Sequence, residues 1–233
     1  MTSSRLPGKV MMEVCGKSLL DYHVQRLSRC HRIDKLVIAT TSNETDEPIS
    51  QFCEEKNIAS FRGSEKDVLE RYFLCAQQYN ADIIVRVTSD CPLIDPEIVD
   101  NIIERYLDKM DLVDYVTQDS NTIPPGQDVE VFSFKALERA YHESQMPFQR
   151  EHVTPYIYLN ADKFTCEKYA SDIDFSQNRW CVDELADFKL IKNILEAFSG
   201  RDNFTWRDCL SLLEKNPDWT RINQKVSQKT LDE

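Results

Sequence analysis

The sequence predicts one α/β domain over residues 1–233, with a mostly parallel sheet that carries helices on both faces. Apolar residues recur at helical spacing in residues 18–30, and the apolar run Lys35–Ala39 that follows is typical of a buried strand. The same alternation repeats as far as the apolar run Ile83–Val87. Strands that alternate with helices favour parallel pairing, because each helix carries the chain back to the start of the next strand.

Each element in the first half of the chain has a local signal in its apolar pattern or its flanking residues. The predicted order after the first strand is a helix at Pro48–Lys56, a strand at Ala59–Phe61, a helix at Glu65–Tyr79, the strand Ile83–Val87, a helix at Pro96–Tyr106 and a short strand from Tyr115. Pro96 suits the first position of its helix, where the missing N–H costs nothing.

The segment 118–180 is less regular, and we interpret it as an insertion that covers a substrate site or contacts a partner subunit. The sequence Pro124-Pro125-Gly126 marks a turn there. A strand is predicted at Val129–Phe134 and a helix at Lys135–Glu143. The remaining predicted helices are Leu185–Phe198 and Trp206–Glu214, followed by a polar tail after Asn223 that we expect to fray.

Composition excludes several classes of protein. The formal net charge of −12 argues against nucleic-acid binding, although a small polyphosphate needs only a local cluster of donors. No stretch approaches the roughly 18 apolar residues of a membrane span, and we expect a cytoplasmic protein. The eight cysteines lie in apolar segments without Cys-x-x-Cys pairs, which favours reduced, mostly buried thiols over disulfides or a zinc site.

A first candidate site is the loop Ser3–Lys9, which combines hydroxyl side chains, two cations, a proline and a glycine ahead of the first helix. Backbone N–H groups in such a turn can surround an anion, and Arg5 and Lys9 can neutralise phosphate charge. Gly16-Lys17 opens the following helix and supports this interpretation. From composition alone, a solvated basic tail is an equally good interpretation.

A second candidate site consists of two acidic segments that are far apart in the sequence. Asp90 follows an apolar strand, at the edge where α/β sheets bind ligands. A second short apolar strand, Arg179–Val182, runs into Asp183 and Glu184. One or two carboxylates suffice to hold magnesium on a triphosphate. The alternative for each acidic segment is a helix N-cap, since both precede helices.

Seven motifs in this order carry a resemblance to a known family: Ser3–Lys9, Gly16–Leu20, Arg62–Tyr72, Arg86–Asp95, Gly126–Val131, Arg150–Pro155 and Arg179–Asp183. The chain resembles the spore coat polysaccharide biosynthesis protein F branch of the cytidylyltransferases. These are relatives of the enzymes that activate sialic acid and 3-deoxy-manno-octulosonate as CMP-sugars. The resemblance implies a Rossmann-like three-layer α/β/α sandwich, usually a homodimer, that uses CTP, Mg²⁺ and a small sugar-like acceptor.

The resemblance also implies roles for individual positions. Catalytic roles are implied for Arg5, Lys9 and Asp90, and Mg²⁺ binding for Asp90 and Asp183. Nucleotide contacts are implied for Ser4, Leu6, Pro7, Gly8, Lys9, Ala39, Thr40, Arg62, Gly63 and Asp67. Acceptor contacts are proposed for Gln127, Asp128, Glu130, Arg150, Glu151 and His152, although a helix at the dimer interface suits Arg150–His152 equally well.

The expected reaction is in-line attack by an acceptor oxygen on the α-phosphorus of CTP, with pyrophosphate leaving. The expected acceptor is a sugar acid. The alternatives are a cytidylyltransferase for a phosphorylated polyol or phosphonate, a nucleotide-sugar glycosyltransferase, and a nucleotide-binding protein with impaired catalysis. Release of pyrophosphate from CTP distinguishes a cytidylyltransferase from a glycosyltransferase. A panel of acceptors identifies the substrate.

The chain departs from the family pattern at its start, because Met1 lies inside the first motif. Relatives begin with a central apolar strand that ends in Ala-Arg, and its absence would leave two neighbouring strands without a ladder partner. We therefore expect that the first central strand is missing because the true start lies upstream. An intact-mass measurement of the native protein tests this, and finding Met1 as the first residue would contradict it.

Overall fold

The computed structural model describes residues 1–228. Up to α4, the elements are β1 (Glu13–Val14), β2 (Lys17–Ser18), α1 (Leu19–Leu27), β3 (Val37–Thr41), α2 (Glu47–Glu55), β4 (Ala59–Gly63), α3 (Val68–Gln78), β5 (Ile83–Arg86) and α4 (Pro96–Leu107). The later ones are β6 (Tyr115–Gln118), β7 (Glu130–Ser133), α5 (Phe134–Glu143), α6 (Pro147–His152), α7 (Pro155–Tyr158), β8 (Cys166–Tyr169), α8 (Leu185–Ala197) and α9 (Trp206–Lys215). The expected fraying after Asn223 falls partly on 229–233, outside the described residues.

The strands confirm the predicted α/β class. β3 pairs with β4 in parallel, and a four-stranded sheet has the order β5-β7-β6-β8. In that sheet β7 runs antiparallel to both of its neighbours, while β6 and β8 are parallel. Three of its four strands therefore point the same way, with β7 as the reversed one.

The sheet is interrupted between β3 and β5. In the described part of the chain these two strands belong to separate sheets and share no ladder. This interruption agrees with the expectation that two neighbouring strands lack a partner. The position of the natural start stays a prediction.

The segment 118–180 is part of the sheet itself. It supplies β7, which lies between β5 and β6, and β8, which pairs with β6. Sequence reasoning missed β8 and the short helix α7, and it offered a helix at Arg150–His152, within α6, only as an alternative. β8 has the sequence Cys-Glu-Lys-Tyr and no apolar run, while both helices begin with a proline, which was an available signal.

The predicted strand Arg179–Val182 was wrong, because the segment has no regular ladder. It is apolar because it is buried: Trp180 and Val182 have no exposed surface. Only isolated backbone bonds hold it, from Trp180 N–H to the Pro125 carbonyl and from Val182 N–H to the Asp90 carbonyl. Burial without a pairing partner gives the composition of a strand but not its hydrogen-bond pattern.

The main core lies between the four-stranded sheet and the helices α1, α4, α8 and α9. At its centre the ring of Phe175 stacks on Trp206 with centroids 4.3 Å apart, and Trp180 packs beside it at 5.7 Å. A second cluster lies around α3, α5 and α7.

All eight cysteines are free thiols and most are buried, as predicted. Within residues 1–228, no helix is both long enough and apolar enough to cross a membrane.

Gly126 allows the turn after Pro125 to approach the segment that carries Asp183. Its φ is +104°, and a Cβ there would lie 2.4 Å from the Trp180 carbonyl carbon and 2.5 Å from Cys181 N. Both contacts are backbone atoms, so no side-chain rotation can relieve them. Gly16 has a similar φ of +75° in the two-residue β1–β2 turn, but nothing lies within 4 Å of its Cβ position.

We predict that Gly126→Ala lowers the free energy of unfolding by about 2–4 kcal/mol, because it adds a backbone clash to the cost of a positive φ. Gly16→Ala is the matched control, and it should cost only about 1 kcal/mol, from the φ angle alone. Urea denaturation measures both values. Equal losses for the two variants would contradict the close approach at Gly126.

Candidate functional site

The loop Ser3–Lys9 lies against the two acidic segments. Gly8 has a φ of +70° and precedes a short 3₁₀ turn that starts at Lys9. The backbone N–H groups of Gly8 and Lys9 are used within the loop, where they donate to the Met1 and Leu6 carbonyls at 3.0 and 3.3 Å. In this structure the loop therefore offers mainly its two cationic side chains to the surroundings.

The ammonium of Lys9 lies between Asp90 and Asp183. Its Nζ donates to Asp90 Oδ2 at 2.7 Å and to Asp183 Oδ1 at 2.8 Å. The other oxygen of Asp183 contacts Arg5 at 2.9 Å and Arg179 at 2.6 Å. Two carboxylates that are 93 positions apart in the sequence thus share one cation. Sequence reasoning required this proximity, and the structure has it.

Asp183 is held in place by backbone and side-chain bonds. Val182 N–H donates to the Asp90 carbonyl at 2.8 Å, which ties the two acidic segments together. The fully buried Asp187 accepts from the N–H groups of Asp183 and Glu184, each at 3.0 Å, and also binds Arg179. Asp187 therefore orients both Asp183 and its partner Arg179, a supporting role that sequence reasoning missed.

Two other aspartates, Asp95 and Asp187, bind the backbone at the starts of the helices that follow the acidic segments. Asp95 caps α4 by accepting from Glu97 N–H, and it also accepts from Trp206 N–H. Asp187 serves the start of α8, where Glu184 occupies the cap position. Among the described hydrogen bonds, neither Asp90 nor Asp183 accepts from a helix N–H through its side chain. Capping thus accounts for Asp95 and Asp187 and leaves Asp90 and Asp183 available for a cation.

The charges around the site shift the pKa values of its groups in opposite directions. Burial raises the pKa of Asp90, but the Lys9 ammonium and the hydrogen bonds from Lys9, Thr88 and Cys91 outweigh burial, and the net pKa lies below its usual value. Burial lowers the pKa of Lys9, yet the two carboxylates leave it above its usual value. Asp90 is therefore an anion and Lys9 a cation at neutral pH.

Asp128 has a different electrostatic environment. Its carboxylate accepts from Gly126 N–H at 2.7 Å and from the Gln118 amide at 2.8 Å. Burial raises the pKa of Asp128 to about 6, and the nearby charges of Asp90 and Glu130 add to this effect. Asp128 is thus a carboxyl group close to the acidic pair that can change its protonation near neutral pH.

Four of the ten predicted nucleotide residues belong to the parallel strands β3 and β4. Thr40 and Thr41 donate their hydroxyls to the buried Asp46, both at 2.7 Å. Arg62 donates to the Thr41 carbonyl at 3.1 Å. Ala39 and Gly63 belong to the same pair of strands. The Thr2 hydroxyl bonds to Glu65, so the amino-terminal loop extends from this strand edge to the acidic pair.

Asp67 has a structural role in this state. It caps α3 by accepting from Glu70 N–H at 2.9 Å, and it forms an ion pair with Arg150 at 2.5 Å. Arg150 also donates to the Tyr141 carbonyl at 2.6 Å and lies over the Tyr141 ring. The two residues connect a predicted nucleotide segment with a predicted acceptor segment.

The remaining predicted acceptor residues differ in burial, from the buried Gln127 through the half-buried Glu130 and His152 to the exposed Glu151. Gln127 is fully buried and binds Asp95 N–H and the Leu93 carbonyl, which makes it a structural residue here. Glu130 pairs with Arg86 and accepts from Tyr115. Within the described residues, the side chains of Glu151 and His152 have no hydrogen-bond or ion-pair partner, so they are free to meet a ligand.

The turn after His152 is strained. Val153 has a φ of +74° and a ψ of −59°, which β-branched residues rarely adopt, and it is fully buried. Thr154 N–H donates to the His152 carbonyl at 2.9 Å and closes a γ-turn. The Thr154 hydroxyl then binds Glu130. Strained backbone of this kind concentrates at functional sites, which supports a functional role for this segment.

Comparison with known proteins adds independent information. The sequence profile of the family described as "Cytidylyltransferase" matches residues 1–204. The chain is 36% identical to an uncharacterized protein of Methanocaldococcus jannaschii, over 99% of this chain and 94% of the relative. It is 29% identical to the spore coat polysaccharide biosynthesis protein SpsF of Bacillus subtilis, over 94% and 92% of the two chains. It is 28% identical to the 3-deoxy-manno-octulosonate cytidylyltransferase of Chlamydia pneumoniae, over 72% and 68%.

A solved structure supports the same relationship. The fold is similar to that of a cytidylyltransferase from Leptospira borgpetersenii, with a TM-score of 0.90 and 30% identity. The match covers 99% of this chain and 95% of the other. The similarity in fold therefore extends over nearly the whole of both chains.

We predict that Lys9→Met lowers the free energy of unfolding of the metal-free protein by about 2 kcal/mol at pH 7, because two carboxylates lose their shared cation. The loss should shrink as the pH falls toward about 4. In the parent protein the lowered pKa of Asp90 stabilises the fold above its unfolded pKa, and this contribution is lost as the pH falls. In the variant, burial and the charge of Asp183 raise the pKa of Asp90, so its protonation relieves the repulsion.

Chemical denaturation in the presence of EDTA at the two pH values measures this difference. Lys66→Met, which changes an exposed lysine without an ion pair among the described residues, is the matched control and should cost little at either pH. A deficit of Lys9→Met that stays the same at both pH values would contradict the electrostatic interpretation.

Proposed function

Because the chain belongs to the cytidylyltransferase family and is therefore a nucleotidyltransferase, we propose that it transfers CMP from CTP to a sugar acid and releases pyrophosphate. The sugar acid is of the nonulosonate or 3-deoxy-ulosonate type. Its activated form serves the synthesis of a surface polysaccharide or glycan.

One observation carries the proposal: Lys9 is shared by Asp90 and Asp183. A triphosphate with its metal ion needs carboxylates for the metal and cations for the phosphates, all in one crevice. The site contains both kinds of group, and they neutralise each other in the ligand-free state. A triphosphate that draws Lys9 and Arg5 to its oxygens would leave the two carboxylates for a divalent cation.

The residues fit Mg²⁺, which is the cation we propose. Two carboxylate oxygens already lie within hydrogen-bond distance of a single ammonium, so they are close enough to contact one ion. Among the residues that the structure describes, no group of three or more His, Cys, Asp or Glu side chains could hold a metal by itself. Mg²⁺ usually takes one or two protein carboxylates and completes its shell with phosphate and water. Bound there, Mg²⁺ would offset the charge on the phosphates.

The chain's own residues would then act by positioning and electrostatics. The acceptor oxygen attacks the α-phosphorus of CTP in line, a new P–O bond forms, and the bond to pyrophosphate breaks. Arg5 and Lys9 would stabilise the negative charge that develops on the departing pyrophosphate. Ala39, Thr40, Arg62 and Gly63 would contact the base and ribose at the carboxyl ends of β3 and β4.

The acceptor segment is proposed on three grounds. The charge of Asp90 contributes to the raised pKa of Asp128, so residues just before β7 would lie close to the reacting phosphate. Glu151 and His152 have no partners in the described residues and lie next to a strained turn. The named relatives act on, or are named for, sugar acids and polysaccharides.

Because the reaction consumes CTP, we place the protein in the cytoplasm, and we propose a homodimer.

We predict that the parent protein, given CTP, Mg²⁺ and a panel of sugar acids, releases pyrophosphate and forms a CMP-sugar with at least one of them. Asp90→Asn should cut turnover by at least about 10²-fold, because it removes a charge that acts on the transition state. The fold should persist, because the amide is nearly isosteric with the carboxylate. Mass spectrometry of the products and a pyrophosphate assay measure both quantities.

Asp218→Asn is the control, since this carboxylate is 88% exposed and, among residues 1–228, forms an ion pair only with Arg221, and it should leave turnover unchanged. Near-normal turnover of Asp90→Asn would remove Asp90 from the site. Turnover with a phosphorylated polyol or a phosphonate, but with no sugar acid, would replace the proposed acceptor. CTP-dependent stabilisation without any product would indicate a binding protein.

A further inference from the structure

The turn that carries Asp90 ends at Cys91, which belongs to two successive turns. Its N–H donates to the Thr88 carbonyl at 3.3 Å and closes the turn that contains Asp90. Its carbonyl accepts from Ile94 N–H at 3.1 Å and closes the following turn. The backbone of Cys91 therefore links the turn that contains Asp90 to the turn that follows it.

Three buried polar side chains from outside this segment bind its backbone. His23 Nδ1 donates to the Cys91 carbonyl at 2.9 Å. Arg26 Nε donates to the Ile94 carbonyl at 2.6 Å. Gln127 donates to the Leu93 carbonyl at 2.8 Å and accepts from Asp95 N–H at 2.7 Å. At most 3% of the surface of each of these three residues is exposed.

Of the three, His23 binds the residue that directly follows Asp90 in the chain. The tautomer follows from its partner: a carbonyl oxygen only accepts, so Nδ1 carries the proton. Burial, the largest effect, lowers the pKa of His23, so the ring is neutral at neutral pH. A neutral, buried ring on the rigid helix α1 is a fixed donor that does not compete with Lys9 for Asp90.

We propose that His23 is a positioning residue, which holds the Cys91 carbonyl and thereby sets the Asp90 carboxylate in the orientation that a divalent cation requires. This inference rests on the proposed function, because it assigns His23 a role through the metal ligand Asp90. His23 itself contacts neither substrate nor metal. Partners that orient a metal ligand typically change metal affinity about 10–100-fold when removed.

The matched control lies on the same helix, one residue away. The Tyr22 hydroxyl is also buried and donates to a backbone carbonyl, that of Val14, at 3.0 Å. Val14 belongs to β1, outside the Asp90 segment. Tyr22→Phe and His23→Leu each remove one buried hydrogen bond that a side chain of α1 donates to a carbonyl elsewhere. Only His23→Leu removes a bond to the turn that carries Asp90.

The test uses the purified full chain with Mn²⁺ and CTP, and electron paramagnetic resonance measures the affinity of the protein for the Mn²⁺·CTP complex. His23→Leu should weaken this affinity by about tenfold. His23→Asn should restore it to within about twofold of the parent, because the amide nitrogen of Asn is as many bonds from Cα as Nδ1. Tyr22→Phe should retain the parent affinity despite its loss of stability.

If His23→Leu does not fold, the affinities of His23→Asn and His23→Gln for Mn²⁺·CTP are compared instead. The amide nitrogen of Gln is one bond too far from Cα to replace Nδ1, so His23→Gln should bind more weakly than His23→Asn. Equal affinities of the Asn and Gln variants, or of His23→Leu and Tyr22→Phe, would overturn the role of His23 alone. If the parent protein and Asp90→Asn bind Mn²⁺·CTP equally well, or the parent does not bind it, the proposed metal site fails and the inference fails with it.

Discussion

The contact of the Lys9 ammonium with Asp90 and Asp183 is the interaction on which the site depends. Three distant parts of the chain meet there, and the charges of Arg5 and Arg179 complete the cluster. Two carboxylates at this distance repel each other strongly at low dielectric unless a cation lies between them. The ligand-free protein uses its own lysine for this purpose. A metal-bound triphosphate brings both a cation for the carboxylates and anions for the lysine, so it can replace each contact with an equivalent one.

The core explains how the two carboxylates come together. Asp183 follows a segment anchored by the buried Trp180, and Gly126 allows a neighbouring turn to approach that segment without a side chain between them. Asp90 follows β5 and is joined to the second segment by the backbone bond from Val182. The carboxylates are thus fixed by packing and backbone bonds, and the proposed function requires only that the cation between them exchanges. Such a preorganised site loses little entropy when the ligand binds.

Much of the fold could be predicted because its signals are local. Apolar spacing and proline positions placed most helices and strands to within a few residues, including α4 after Pro96. The convergence of Asp90 and Asp183 is not local, and the residues alone only suggested it. Side-chain partners were the least predictable part. Gln127 was expected at the acceptor site but is a buried structural residue, and His23 has no sequence pattern that distinguishes it from a surface histidine.

The central claim is that one cation position, now occupied by the Lys9 ammonium, serves both carboxylates. A crystal structure of the full chain with Mn²⁺ and CTP, read from the anomalous signal of manganese, tests it directly. We expect a manganese peak about 2.1–2.2 Å from oxygens of both Asp90 and Asp183, with Lys9 moved onto the phosphates. A peak elsewhere, with Lys9 still between the two carboxylates while CTP is bound, would contradict it.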